Sequence, residues 1–289
     1  MMDFLNPATV AEALELKAAT PDAVPIAGGT DVMVELNFDH RRPPALLNLN
    51  RIGELHTHST VDGKVRIGAC VPYSRIITEL GSVLPGLAIA SRTVGSPQIR
   101  NRGSVGGNLG AASPAGDAHP ALLATDAVVE IASTRGVRMV PVKDFYVGVK
   151  RNVLEPDELI TAVHVPPATG PQQFSKVGTR NAMVIAVCAF AIALHPDQKR
   201  VGTGIGSAAP TPLRAHEAEE FLNNELPWGS AEGLLDSLNR RFGELVAQAA
   251  SPIDDVRGTA SYRRHALAVM ARRTLSWTWS EYRRSAQCA

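Results

Sequence analysis

Two glycine pairs, each with a hydroxyl beside it, are the residues with chemistry to offer. Gly28-Gly29 stands in AGGTD and is followed by Thr30; Gly106-Gly107 stands in GSVGGN and is preceded by Ser104. A glycine pair frees backbone N–H groups to converge on an anion, and it lets phosphate oxygens approach where a Cβ would stand. The neighbouring Thr or Ser adds a hydroxyl donor. This suits the cradling of a diphosphate; for either pair alone, the plain alternative is an ordinary turn. Neither GxGxxG nor Gly-Lys-Ser/Thr occurs, and GTGIG (202–206) has the wrong spacing for a dinucleotide loop.

Other polar residues near the pairs admit blander readings. Asp31 would repel a diphosphate, so its expected work is to cap backbone N–H groups at a helix start. Arg100 and Arg102 flank Asn101 and are read as solvated or inter-subunit arginines, with phosphate support as the alternative. His56 and His58 would share one face of a strand. No third metal ligand stands nearby, so both are read as surface side chains. His119 is read as structural or peripheral, and Tyr262, Arg263 and Arg264 as part of an amphipathic helix that packs or docks. No Ser-His-Asp or Cys-His signature appears, and no nucleophile is nominated.

The elements that must hold the pairs follow from periodicity. Thr9-Val10-Ala11-Glu12 has capping-box spacing, with Val10, Ala13, Leu14 and Lys17 at helical intervals after it. VPIA (24–27) reads as a short buried strand ending at the first pair, and DVMVEL (31–36) as a helix. LLNLN (46–50) and KVRIGA (64–69) read as strands, and residues 78–92 as helical patches broken by Pro85-Gly86. The stretch 93–116, TVGSPQIRNRGSVGGNLGAASPAG, reads as one long irregular segment, and such segments in compact domains are more often functional than filler. A short helix (118–125) and strands over 127–133, 137–142 and 159–165 follow. PPATGP (166–171) is the expected domain boundary. Beyond it, QQFSKVG and the apolar run 182–194 suggest strands, and helices are expected over about 231–250 and 262–282.

The 289 residues carry 29 Lys plus Arg against 28 Asp plus Glu, a formal charge of +1. That length suggests about two domains. Near-neutral charge excludes the basic face of a nucleic-acid binder and leaves any phosphate to local backbone groups. Cys70, Cys188 and Cys288 form no CxxC or CxxH pair, which points away from an iron–sulfur cluster, structural zinc or a disulfide framework on this chain. MMDFLNPATV lacks signal-peptide features, and the longest apolar run is shorter than the about 20 residues that span a bilayer. The expected location is the cytoplasm.

Taken together, AGGTDVM and TVGSPQIRNRGSVGGNLGAASPAGD resemble the FAD-binding subunit of the molybdenum hydroxylases. That family includes the medium subunits of carbon monoxide dehydrogenase, xanthine dehydrogenase, aldehyde oxidoreductase and nicotine- or quinoline-type dehydrogenases. The resemblance continues through ELITAVHVP, FSKVGTRNAM and RGTASYRRHALAVMARRTL, and so spans nearly the whole chain. It implies an α+β fold with a two-lobed FAD-binding domain of the vanillyl-alcohol-oxidase (PCMH) type over residues 1–170, its lobes at about 1–57 and 58–170. A C-terminal α+β domain, a three-stranded sheet with a helical bundle, would occupy 171–289.

By motif position, the resemblance implies that Ala27, Gly28, Gly29, Thr30, Asp31, Val32 and Met33 line the FAD diphosphate. Ser104, Gly106, Gly107 and Asn108 would hold its other side. Asp117 would accept hydrogen bonds from the ribose or adenine end. Val94, Gly95 and Ile99 would approach the isoalloxazine ring, with Leu159 or Ile160 and Lys176 beside the flavin. A second reading of Lys176 stays open, that of an exposed lysine at a strand end.

The implied role is electron transfer. Substrate hydroxylation would occur at a molybdopterin cofactor on a large partner subunit. Electrons would cross two [2Fe–2S] clusters on a small partner, reach FAD on this chain, and leave to NAD, oxygen, a quinone or another acceptor. The expected assembly is a dimer of heterotrimers, and the cysteine count assigns the clusters to the partner. Carbon monoxide dehydrogenase medium subunits usually read AGGHS and GGDIA where this chain has AGGTD and GGNLG, and they tend to have Tyr at the place of Phe174. Those departures favour a heterocycle- or aldehyde-oxidising complex. The 4-hydroxybenzoyl-CoA reductase version has an additional cysteine-bearing loop that three scattered cysteines cannot supply. Two further readings are kept: a stand-alone vanillyl-alcohol-type FAD oxidase, and a non-catalytic orphan subunit.

Overall fold

Strands β1 (Asp3–Leu5), β2 (Val24–Ile26) and β3 (Ala45–Asn48) are short and parallel, and they pair in the order β1-β3-β2 in a computed structural model that describes residues 2–230 and 232–287. Parallel neighbours need crossovers. Helices α1 (Val10–Ala19) and α2 (Val32–Asn37) lie within them. Thr9 caps as the spacing predicts, its Oγ1 accepting from the Glu12 N–H at 3.2 Å, while Glu12 Oε2 reaches one residue further back and accepts from the Ala8 N–H at 2.7 Å. Lys17 is buried, because its ammonium donates to the Pro21 and Ala23 carbonyls that close the turn into β2.

The second sheet is antiparallel, in the order β4 (His58–Val61), β5 (Lys64–Gly68), β10 (Leu159–Val165), β6 (Val128–Ser133), β7 (Gly136–Pro141). A small hairpin, β8 (Tyr146–Gly148) with β9 (Arg151–Asn152), lies between β7 and β10 in sequence. Five helices are inserted between β5 and β6: α3 (Tyr73–Glu79), α4 (Pro85–Arg92), α5 (Pro97–Arg100), α6 (Val105–Ala111) and α7 (Ala118–Ala124). Pro85 opens α4, where a missing N–H costs nothing, so Pro85-Gly86 marks a boundary. The 93–116 stretch therefore differs from the irregular segment expected. Ser96 caps α5 by accepting from the Ile99 N–H, and Ser104 caps α6 by accepting from the Gly107 N–H. Gly106-Gly107 is thus the first turn of a helix. Its shortness and its Gly/Ser content, which usually signal loops, concealed it. His56 and His58 do not share a strand face either; His56 ends a 3₁₀ turn, while His58 opens β4 and pairs with Glu79 at 2.8 Å.

The third sheet is β11 (Gln172–Val177), β12 (Cys188–His195) and β13 (Arg200–Gly206), antiparallel in that order. Strand β12 is buried along its whole length because α7 packs against it as well as α10 (Ala260–Gln287). GTGIG belongs to β13. A Cβ on Gly202 would stand 2.0 Å from the Ala124 carbonyl oxygen, and one on Gly204 would stand 2.1 Å from that of Pro120. Those glycines let α7 lie directly on the strand. One core consequently joins Leu122 and Val129 to Phe174, Ala189 and Ala191. The second core, with Phe190, Phe242, Leu267 and Leu275, lies under α8 (His216–Glu225), α9 (Asp236–Ala249) and α10. Helix α8, HEAEEFLNNE, is not anticipated by the sequence reading, and α9 starts at Asp236. Ala231, from which a helix is expected, and Cys288 lie outside the described residues. Among the described residues, no helix is long and apolar enough to cross a membrane.

Candidate functional site

A cavity of about 660 Å³ is bordered by the loop that leaves β2, the start of α6, and β10. The four glycines around it have different reasons for being glycine. A Cβ on Gly28 would lie 2.0 Å from the Arg102 carbonyl oxygen, and one on Gly106 would lie 2.5 Å from that of Ala69. These two positions are spent on backbone-to-backbone contact. Gly29 has φ +72°, the left-handed region that disfavours a side chain. Gly107 alone has an open Cα face; its Cβ would meet only Ser104 Oγ, at 3.3 Å.

The N–H groups of Gly28, Gly29, Thr30, Asp31 and Val32 find no acceptor among the described residues, and all five residues line the cavity. Converging uncommitted amides are suited to an anion. Asp31 occupies the N-cap of α2, yet its carboxylate makes no capping hydrogen bond. Its ψ of −52° is helical, whereas a capping side chain needs the extended backbone. Asn50 ties the two loops together, donating to the Ala27 carbonyl at 2.7 Å and accepting from Arg102 at 3.3 Å.

The flavin wall expected from the resemblance is held by cations. Arg100 Nη1 donates to the carbonyls of Val94 and Gly95, both at 3.0 Å, and Lys176 Nζ donates to that of Thr93 at 3.1 Å. Arg100 is therefore an internal brace rather than a solvated arginine. Gly95 has φ +43° and packs against Ile99, and the side chains of Val94 and Ile99 are left to line the cavity.

Lys176 is not an exposed lysine. Its Nζ stands 2.7 Å from Asp117 Oδ2, and both side chains are buried. Burial raises the Asp117 pKa to about 6, against the opposing pull of Lys176. His119, two residues on, is pushed down to about 3 by burial and shares a 2.7 Å hydrogen bond between Nδ1 and the Tyr146 hydroxyl.

Of the residues singled out in the sequence, Ala27, Gly28, Gly29, Thr30, Asp31 and Val32 line the cavity. So do Val94, Ile99, Ser104, Gly106, Gly107, Asn108, Leu159 and Ile160. Met33, Gly95, Asp117 and Lys176 are not part of this lining, although Gly116, next to Asp117, is. The cavity also takes Tyr73, Arg41, Lys150, Arg151 and Ile185, which sequence reasoning missed. Lys150 follows β8 and pairs with Glu35 of α2 at 3.0 Å, an interaction with no short-range signal. Ile185 was hidden within the apolar run read as strand. No group of three or more His, Cys, Asp or Glu side chains among the described residues could hold a metal ion.

The family profile described as the FAD binding domain in molybdopterin dehydrogenase matches residues 1–168. The chain belongs to that family. In this FAD-binding subunit, residues 173–278 match the CO dehydrogenase flavoprotein C-terminal domain. It is similar to the xanthine dehydrogenase FAD-binding subunit of Escherichia coli O157:H7, at 32% identity over 289 residues and 96% of each chain. It is 34% identical to the nicotinate dehydrogenase FAD-subunit of Eubacterium barkeri over 233 residues, covering 76% of this chain and 79% of that one. Its fold matches carbon monoxide dehydrogenase from Hydrogenophaga pseudoflava with a TM-score of 0.89, at 26% identity and 97% and 98% coverage of the two chains. The subunit is thus a component of an oxidoreductase of the molybdenum hydroxylase family, and its relatives include medium chains of multisubunit complexes. The cavity fits FAD: uncommitted amides and an open Gly107 face suit the diphosphate, and the apolar walls suit the rings.

Proposed function

We propose that the subunit takes electrons from [2Fe–2S] clusters on a small partner chain and hands them to an external acceptor, while substrate chemistry proceeds at a molybdopterin cofactor on a large partner. The observation that carries this reading is one cavity lined by five residues whose amides are uncommitted, by Gly107 with its open Cα face, and by apolar side chains. Bound there, FAD supplies reversible storage of two electrons. The chain's own work is to bind and orient. Gly28 through Val32 and Ser104 through Gly107 hold the diphosphate, Val94, Ile99, Leu159 and Ile160 enclose the rings, and Lys176, paired with Asp117, braces the wall at the Thr93 carbonyl.

Family profiles ending at 168 and beginning at 173 support a division into residues 1–170 and 171–289. Relatives that are medium chains support a heterotrimer, for which we propose pairing into a dimer of heterotrimers. The two buried free thiols, Cys70 and Cys188, suit a reducing cytoplasm.

The test is to purify the chain alone and together with its neighbouring large and small subunits. The expected result is stoichiometric FAD in both preparations, with bleaching of the visible flavin band by substrate only when the partners are present. Bleaching in the isolated chain would instead identify a stand-alone oxidase, and absence of flavin from both would identify an orphan subunit.

A further inference from the structure

Tyr73 opens α3 and is among the largest fully buried side chains. Its N–H donates to the Gly103 carbonyl at 3.0 Å. A Cβ on Gly103 would lie 3.6 Å from the Tyr73 ring and 3.5 Å from Thr30 Oγ1. The ring is therefore held where the two glycine loops meet, and it lines the cavity. Its hydroxyl is sealed from solvent with no hydrogen-bond partner among the described residues. Asn108 Oδ1 and Asp117 Oδ1 are orphaned in the same way. Asn108 lines the cavity too, and a Cβ on Gly116, next to Asp117, would stand 2.9 Å from its amide nitrogen. Burial drives the Tyr73 phenol pKa up, and the Asp117 charge adds to it.

Buried polar groups are nearly always paired, so three orphaned oxygens beside one cavity call for a ligand. Their chemistry selects it. Two of the three are acceptors that a phosphate, which only accepts, would leave unpaired, whereas neighbouring alcohols, each of which donates and accepts, suit all three. The uncommitted amides of residues 28–32 have the opposite preference.

We propose that the Tyr73 hydroxyl is a cofactor-binding group that hydrogen-bonds the ribityl hydroxyls of FAD, in a subsite it forms with Asn108 and Asp117. The proposal rests on the FAD reading above. It makes Tyr73 unusual: its hydroxyl is a liability in the empty protein and an asset in the loaded one.

Tyr73→Phe keeps the ring and removes only that oxygen. Thermal unfolding of the flavin-free protein should show Tyr73→Phe unchanged or more stable than wild type. Fluorescence titration with FAD should show about tenfold weaker binding, the size of one hydrogen bond. Competition by ADP, which carries the diphosphate and ribose but no ribityl chain, should be unchanged. Unaltered FAD affinity would overturn the contact, and an equal loss for ADP would overturn the ribityl assignment. A destabilised flavin-free variant with proportionate losses for both ligands would show a structural hydroxyl. Wild-type protein that takes up no FAD would defeat the functional reading itself.

Discussion

Lys176 Nζ stands 2.7 Å from Asp117 Oδ2, with side-chain exposures of only 7% and 10%, and so links β11 to the start of α7. Removing one member of a buried pair leaves an uncompensated charge. Lys176→Met should therefore cost about 3–5 kcal/mol of stability at pH 7.5. The folded Asp117 pKa of about 6 lies above its ordinary 3.8, so stability from this group is fully present below pH 3.8 and is lost as pH rises through 6. Without the ammonium the carboxyl is pushed further up, and the variant should lose less at pH 5, where Asp117 takes a proton. Urea unfolding at both pH values checks this; equal losses would mean that the pair does not govern the difference.

Gly28 and Gly107 should fail in different ways. Gly28→Ala forces a methyl onto the Arg102 carbonyl and should disrupt the protein with or without FAD. Gly107→Ala meets only Ser104 Oγ and lies within α6, where alanine is favoured by about 0.5–1 kcal/mol. The flavin-free variant should stay as stable as wild type while FAD binding weakens by roughly tenfold or more, in line with a lost charge-assisted contact. Calorimetry of flavin-free protein beside FAD titration separates the two; similar profiles for both variants would contradict the division.

His119 should set an acid limit on stability. Burial depresses its folded pKa from 6.5 to about 3, so its contribution is present above pH 6.5 and is lost as pH falls toward 3. Asp117 has the opposite sign between pH 4 and 6, and the two partly cancel in the wild-type chain. His119→Gln should flatten the fall of stability with acid by about one proton, whereas Asp117→Asn should steepen it. Denaturant midpoints measured from pH 4 to 7 report both slopes. Parallel profiles for the two variants would refute the assignment.

Much of this was legible because it is local. The Thr9 cap, the strand that ends before Gly28 and the mostly apolar run of β10 depend on near neighbours in the chain. Where reading failed, the local signal was misleading: Ser96 and Ser104 looked like loop residues because a cap is where a helix meets a loop. Helix α8 is short and acidic, and what makes it a helix is the third sheet beneath it.

The sequence by itself determined the family, the glycine pairs and fourteen of the residues that line the cavity, since those motifs are contiguous stretches of chain. Only the tertiary structure decided what each residue faces. Asp117 and Thr93 lie 59 and 83 positions from Lys176, so burial of its charge could not be read from spacing. The same holds for the glycines. Gly28 and Gly107 look alike in sequence, yet one presses on a carbonyl and the other opens to the cavity, because the atom that would meet a Cβ belongs to a distant segment. Packing brings those segments together, and it alone separates the glycines that hold the fold from the one left for the ligand.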